Sequence, residues 1–489
     1  MKKKLGFLFC IFFTFSLSIF AYSHFIHQVK IIQNQLPIIS TEHSSLHSLT
    51  IQKSLIGHTP IAIKNNTDFM TQAKDEGWSG NGSQENPYII QGLTIHSSGV
   101  LIKIENTDLF FIIRNNKLQG QVIEPIWAIE GAGIVLQKVT NGIIENNTIW
   151  DAAVGIFFRY SSNNTISNNV ITNNEYGGIR VESCHNNTIS GNVISDNGKS
   201  DQFSSSICGI FLKQSSSVSI FNNSIQNNNQ YGINLYLSTN NTIIRNDIGP
   251  HRFAAIDMVS DIMIPINQYT YDSSYYNIIS KNILYGNIWG IGIRGSDNII
   301  SNNIMYNNDV GLYLGLYNFE MPQVKTSVTL KASKINISGN FISNSSLGII
   351  LANSEENDII NNSMYNCTNY GIKILHPSSN NLVSMNDLIS NNIAGTSQAF
   401  DNGSSNNFLK NHWYEWIGPD SDNNNIVDNP YSIAGESANT DPSPLVHPTN
   451  PNSPTGIKAP TSKSSSGWTF IVALATCFVK ITLKREESS

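Results

Sequence analysis

The chain has 489 residues, with 29 Lys and Arg against 35 Asp and Glu and a net charge of −6, so it offers no basic stripe for nucleic acid. Charged residues are only 13% while asparagine contributes 65 residues, a balance that fits neither a disordered polyelectrolyte nor an ordinary helical enzyme. The five cysteines are widely spaced without a CxxC pair, which leaves neither a disulfide framework nor a cysteine metal site.

Lys2, Lys3 and Lys4 precede an apolar run from Leu5 to about Tyr22, the pattern of a signal peptide or signal anchor over residues 1–22. Small residues around Ala21 to Ser23 hint at a cleavage point. Residues 23–59 read as a linker and 60–87 as an N-terminal cap. In the cap, Thr67 or Asp68 can start a short helix over Phe69 to Lys74, followed by a turn rich in glycine (Gly77, Gly80, Gly82).

Residues 88–413 repeat. The phrase running from Asn164 to Ile171 returns 23 residues later from Asn187 to Ile194. Alignment on its sixth position places Asn116, Asn147, Asn169, Asn192, Asn223, Asn246, Asn282, Asn303, Asn340, Asn362, Asn386 and Asn411 in register, 21 to 25 residues apart with four longer intervals of 31 to 37. Gly133, Gly155, Gly178, Gly209, Gly232 and Gly348 each precede their Asn by 14 residues and open a run of period two, so every repeat holds at least two short strands. Such strands persist only when stacked. The expected fold is therefore all-β: a right-handed parallel β-helix of about 12 to 14 coils at about 4.8 Å per coil, the longer intervals being coils with inserted loops. A leucine-rich solenoid competes, but it needs Leu where this chain has Ile. The recurring Asn is expected at a left-handed corner, its amide bonded to the amides above and below in a ladder.

Counted from each Gly, residues one and three on point into the column, so residues two and four on point out. Those positions hold Val135 and Gln137, Phe157 and Arg159, Arg180 and Glu182, Phe211 and Lys213, Asn234 and Tyr236. Phe157, Arg159, Arg180, Glu182, Phe211, Lys213 and Tyr236 form a candidate glycan-binding strip, with aromatic faces for sugar rings and cations for hydroxyls or uronate carboxylates. The alternative is that inserted loops cover Phe157 and Phe211.

Residues 414–447 read as a C-terminal cap, and Trp413, the last repeat residue, closes the column with Trp416. Asp420, Asp422, Asn424 and Asp428 occupy positions 1, 3, 5 and 9 of a loop like those that bind calcium, but Tyr431 at position 12 supplies no carboxylate. Weak structural calcium, on the order of 10⁻⁴ to 10⁻³ M, is one expectation; a metal-free polar turn is the other. Residues 448–467, rich in Pro, Ser and Thr, read as a stalk, and 468–489 as a short C-terminal membrane anchor or a frayed apolar tail. There are twelve N-x-S/T sequons, a pattern that fits an external glycoprotein and also arises automatically in an Asn-rich repeat.

The opening segment Asn86 to Ile90 and the closing set Asn411, Trp413, Trp416, Asp428, Tyr431, Ile433, Asp441, Pro444 and Leu445 resemble those of the NosD-like proteins. These are also called carbohydrate-binding and sugar-hydrolysis (CASH) repeats, and the likeness to archaeal surface members runs over about Pro60 to Leu445. The resemblance implies an extracytoplasmic β-helix whose relatives bind glycans, sometimes cleave polysaccharide, or assist copper-site maturation. Copper needs clustered soft ligands, whereas His185, His251, Met258, Met263 and Met305 are scattered. A lyase or hydrolase needs adjacent carboxylates; Asp247 and Asp387 stand several coils apart, though the loop after Gly249, with His251, Arg252, Asp257 and Asp261, can fold over the strip. The leading reading is a membrane-anchored surface rod that binds polysaccharide or a surface glycan without cleaving it.

Overall fold

The computed structural model describes residues 56–122, 129–199, 207–259, 274–315 and 331–449. The signal and C-terminal anchor expectations, and the stalk beyond Thr449, fall outside these residues, as do Asp261 and Met263. No helix among the described residues is long and apolar enough to cross a membrane.

The chain winds so that each coil gives one short strand to each of three parallel sheets. The first sheet has 14 strands, from Ile56–His58 to His412–Trp413; the second has 13, from Ile61–Ile63 to Ala399–Asp401; the third has 13, from Tyr88–Gln91 to Asn407–Leu409. Register is strict: Ile166 pairs with Ile189, Ile189 with Ile220, and Ile220 with Ile243. All four are fully buried, because the period of two along each strand sends alternate side chains into one column shared by every coil.

Stacking starts earlier than expected. Ile56–His58 and Ile61–Ile63 already pair with the second coil; they precede Asn116, the first Asn of the repeat, so no register marks them in the sequence. Helix α1 (Asn66–Asp75) is capped by Asn65, whose side chain accepts from the Asp68 amide, two residues before Thr67 and three before Asp68, the caps expected. Its Phe69 is buried against Tyr88, Phe111 and Trp78 and plugs the column. At the far end Trp413 is buried and stacks on Tyr431, ring centroids 4.0 Å apart, with Trp416 edge-on to the same ring.

The corners explain the asparagines. Asn169 donates through Nδ2 to Asn192 Oδ1 at 3.0 Å and to the Ile144 carbonyl at 2.9 Å, while its backbone N–H meets the same Asn192 oxygen. The pattern runs from Asn116 through Asn147, Asn169, Asn192, Asn223 and Asn246, then Asn282, Asn303, Asn340, Asn362, Asn386 and Asn411. It ends on Asp441, a pure acceptor. The left-handed residue is not the ladder Asn but the one before it, such as Asn168, Gly191, Asn222, Arg245 or Lys281, with φ between 54° and 64°. That residue faces solvent and its identity is free; the ladder Asn turns inward and has to be an amide. Two further amide ladders line the other corners, through Asn241, Asn277 and Asn298 and through Asn174, Asn197 and Asn228.

The glycine register has its own cause. A Cβ on Gly133, Gly155, Gly178 or Gly209 would lie 2.6–2.7 Å from the carbonyl oxygen of the glycine one coil on, closer than carbon and oxygen can approach. Glycine is what lets the corner leading into the second sheet stack at the strand spacing.

Candidate functional site

The outward rows of the three sheets differ in chemistry. On the first sheet the run is Thr148, Val170, Val193, Ser224, and on the third Thr165, Thr188, Ser219, Thr242. The matching run on the second sheet is Val135, Phe157, Arg180, Phe211, Asn234, Asp257. Beside it run Gln137, Arg159, Glu182, Lys213 and Tyr236. All six cation–π contacts among the described residues use cations of this sheet or of the residue just past it: Arg159, Arg180, Arg294 and Lys373.

The expected strip therefore exists as an outward row, but its two phenylalanines are not presented to solvent. Phe157 and Phe211 are each 4% exposed. Phe157 packs with Val135 and Val154 under Val100, Ile129 and Tyr176; Phe211 packs with Cys208, Tyr231 and Ala254 under Tyr236, Phe253 and Trp289. Side chains at the corners and on neighbouring coils fold over the sheet and withdraw both rings, which leaves them unable to stack on a sugar. Arg180 lies between them, 5.8 Å from one ring centroid and 5.1 Å from the other, and holds Glu182 at 2.6 Å. This pair braces the sheet. Arg159, Lys213 and Tyr236 remain partly exposed, and neither Arg159 nor Lys213 has a carboxylate partner among the described residues.

A polar cluster that the sequence did not reveal occupies the middle of the face. Asp257 leans over Gly292, where a Cβ would collide with its carboxylate at 2.4 Å. Its oxygens lie 3.4 and 3.5 Å from one nitrogen of Arg294, and Arg294 sits 5.5 Å over the Trp289 ring, itself stacked on Tyr313 at 5.0 Å. Burial raises the Asp257 pKa, and the Arg294 charge acts against that rise. One coil earlier Asn234 is 0% exposed with both amide atoms unpartnered, and Arg294 Nε is likewise unpartnered.

The carboxylates of this face are far apart. Glu105 and Glu182 are three coils apart, as are Glu182 and Asp257, about 14 Å at the strand spacing. Two-carboxylate glycoside hydrolysis works at no more than about 9.5 Å.

In the C-terminal cap, Asp420, Asp422 and Asp428 bring ligand atoms within 4.8 Å of one another. Asp420 accepts from the Asn424 and Asn425 amides, Asp428 from Ser421, and the Asn424 side chain donates to Asp422. The soft ligands considered for copper are not brought together. Met258 and Met305 are core residues, His251 replaces an Asn in a corner ladder, and His185 bonds Ser162. Among the described residues these side chains do not fit a copper site.

Residues 78–248 match the family described as right handed beta helix region, and residues 257–435 that described as periplasmic copper-binding protein (NosD). With three parallel sheets wound coil by coil, the molecule is a right-handed parallel β-helix. Over residues 257–435 the chain is similar to the NosD family of such proteins. No curated protein matches it. Similar solved structures include a Family 28 exopolygalacturonase of Yersinia enterocolitica, at 13% identity over 71% of this chain and 78% of that one with a TM-score of 0.48. PfbA, a surface adhesin of Streptococcus pneumoniae, is similar at 15% identity over 58% and 79%, with a TM-score of 0.42. The Dettilon tailspike protein is similar at 14% identity with a TM-score of 0.41, and the match spans 62% of the tailspike's length. At these identities the likeness is one of fold.

Proposed function

We propose that the protein is an extracytoplasmic β-helix that binds an extended acidic polysaccharide along the outward face of its second sheet. The observation that carries this reading is the contrast between the sheets: all three share one core and the first also turns Trp150, Tyr285 and Tyr306 outward, but cations gather on the second, with Lys103, Arg159, Arg180, Lys213 and Lys373 on its strands against Lys117 on the first and Arg114 on the third. Lys103, Arg180 and Arg294 are matched by Glu105, Glu182 and Asp257, whereas Arg159, Lys213 and Lys373 have no ion-pair partner among the described residues. The face thus carries a positive excess on a chain of net charge −6. Arg159 and Lys213 are two coils apart, roughly 10 Å, so one chain laid along the helix axis meets both with its carboxylates. The apolar leader pattern at residues 1–22 and the periplasmic designation of the NosD relatives support the extracytoplasmic placement.

The test is retention of Arg159→Gln/Lys213→Gln on an immobilised polyuronate. Both side chains are partly exposed, so the melting temperature should stay within about 2 °C, while retention should fall several-fold and wild-type retention should weaken as salt rises. Wild-type-like retention by the double variant sinks the proposal. Calcium in the C-terminal loop belongs to the same proposal as a stiffener of the cap and takes no part in ligand binding.

A further inference from the structure

The corners separate two kinds of asparagine that the sequence shows as a doublet. In Asn146-Asn147, Asn163-Asn164, Asn186-Asn187, Asn222-Asn223 and Asn240-Asn241, the second Asn is a buried ladder residue. The first has φ between 52° and 57° and is exposed. None of the five first side chains has a hydrogen-bond partner among the described residues. Thr148, Thr165, Thr188, Ser224 and Thr242 follow two residues after the first Asn, on outward, partly exposed positions. Two residues after the second Asn the chain must point inward, and there it has Ile149, Ile166, Ile189, Ile225 and Ile243, all fully buried. The register that builds the core therefore places the hydroxyl of an N-x-S/T sequon opposite the exposed Asn and forbids one opposite the ladder Asn.

We infer that Asn146, Asn163, Asn186, Asn222 and Asn240 are N-glycosylation sites, arrayed along the two edges of the third sheet. Asn146 and Asn222 lie where the third sheet passes to the first, and the other three where the second passes to the third. In the transfer, Nδ2 attacks the anomeric carbon of a lipid-linked glycosyl phosphate held by a separate transferase. The nitrogen–carbon bond forms, the carbon–oxygen bond to phosphate breaks, and the phosphate leaves while one amide proton passes to base. The glycans flank the face on which Phe221, Ile278 and Ile299 are exposed, apolar side chains that nothing in the core requires to be outside. The inference rests on the extracytoplasmic placement proposed above, since the transferase and its donor act outside the cytoplasm.

The test is proteolysis and mass spectrometry of the full-length protein recovered from its own cells, together with the variant Thr165→Val/Thr188→Val/Thr242→Val. That variant removes three sequon hydroxyls and leaves every ladder amide and the strand shape in place. The inference expects glycan mass on the five peptides, none on the ladder asparagines, and loss of three glycans in the variant. Protein found outside the cytoplasm with all five asparagines bare overturns it, whatever the retention on polyuronate. Protein found only in the cytoplasm overturns it together with the placement. Glycosylated protein that is not retained leaves this inference standing and defeats the binding proposal alone.

Discussion

Replacing His251 by Asn should abolish an acid sensitivity built into the stack. His251 stands in the corner ladder between Asn228 and Asn287: its backbone N–H donates to Asn287 Oδ1 at 2.8 Å, and its Nδ1 lies 3.2 Å from the Asn228 amide nitrogen. With Nδ1 accepting from the Asn228 N–H, the neutral ring keeps its proton on the buried, unpartnered Nε2; a second proton would have to enter at Nδ1 and displace that hydrogen bond, and burial lowers the pKa from 6.5 to about 4. A histidine with a depressed folded pKa contributes stability that is complete above about 6.5 and is lost as pH falls toward 4. The loss approaches about 3 kcal/mol at pH 4. Asp247, Asp257 and Asp309 are shifted upward by burial and act with the opposite sign, contributing stability at low pH that fades as pH rises through their folded values. They are common to both proteins and cancel in the difference. Urea unfolding of wild type and His251→Asn, followed by far-UV circular dichroism at pH 7.5 and pH 4.5, should show the variant gaining more than 2 kcal/mol on the wild type between the two pH values, on the order of the shift worked above. A difference that is the same at both would refute the assignment of His251 as a neutral ladder residue.

Asn192→Ala should cost roughly 2–6 kcal/mol, since it strands the Asn169 N–H and the Ile166 carbonyl that Asn192 serves. Its neighbour in the coil below, Asn168→Gly, should stay within about 0.5 kcal/mol because that position asks only for a left-handed backbone; equal costs in thermal or urea unfolding would disprove the division between corner and ladder. Titration calorimetry with millimolar calcium should give heat and a higher melting temperature that Asp420→Asn/Asp428→Asn removes, and no heat would assign the loop to its backbone turns alone.

Periodicity made the fold legible because the same apolar position recurs in coil after coil, and one Ile column such as Ile166, Ile189 and Ile220 fixes the register of all the rest. The corner ladder at Asn169 and Asn192 was visible for that reason. The ladder through Asn174, Asn197 and Asn228 was not, because Ala152, His251 and Cys367 stand in its equivalent places and break the repeat. The start of the first coil was missed because Ile56–His58 and Ile61–Ile63 precede Asn116, the first Asn of the repeat, and α1 interrupts the coil. Side-chain direction was legible for Phe157 and Phe211, but burial was not, since alternation says which way a residue points and nothing about what folds over it. The ion pair of Asp257 with Arg294 spans 37 residues and depends on the missing side chain of Gly292, and neither fact has a local signal.

A solenoid of this kind divides its residues by what constrains them. Inward positions are apolar, the main ladder corner is an amide from Asn116 to Asn411, and the glycine column lacks a Cβ in most coils, Ala255 being an exception. Outward strand positions are under none of these constraints, so Thr and Ser on the third sheet and Val and Thr on the first are what strand propensity alone supplies. Arg159, Arg180, Lys213, Asp257 and Trp289 are not explained that way, and burying Arg294 and Asp257 together with an unsatisfied Asn234 opposes folding. Three outward cations of the second sheet, Arg159, Lys213 and Lys373, stand without an ion-pair partner among the described residues, and under the proposed function these are the groups that a polyanion would meet.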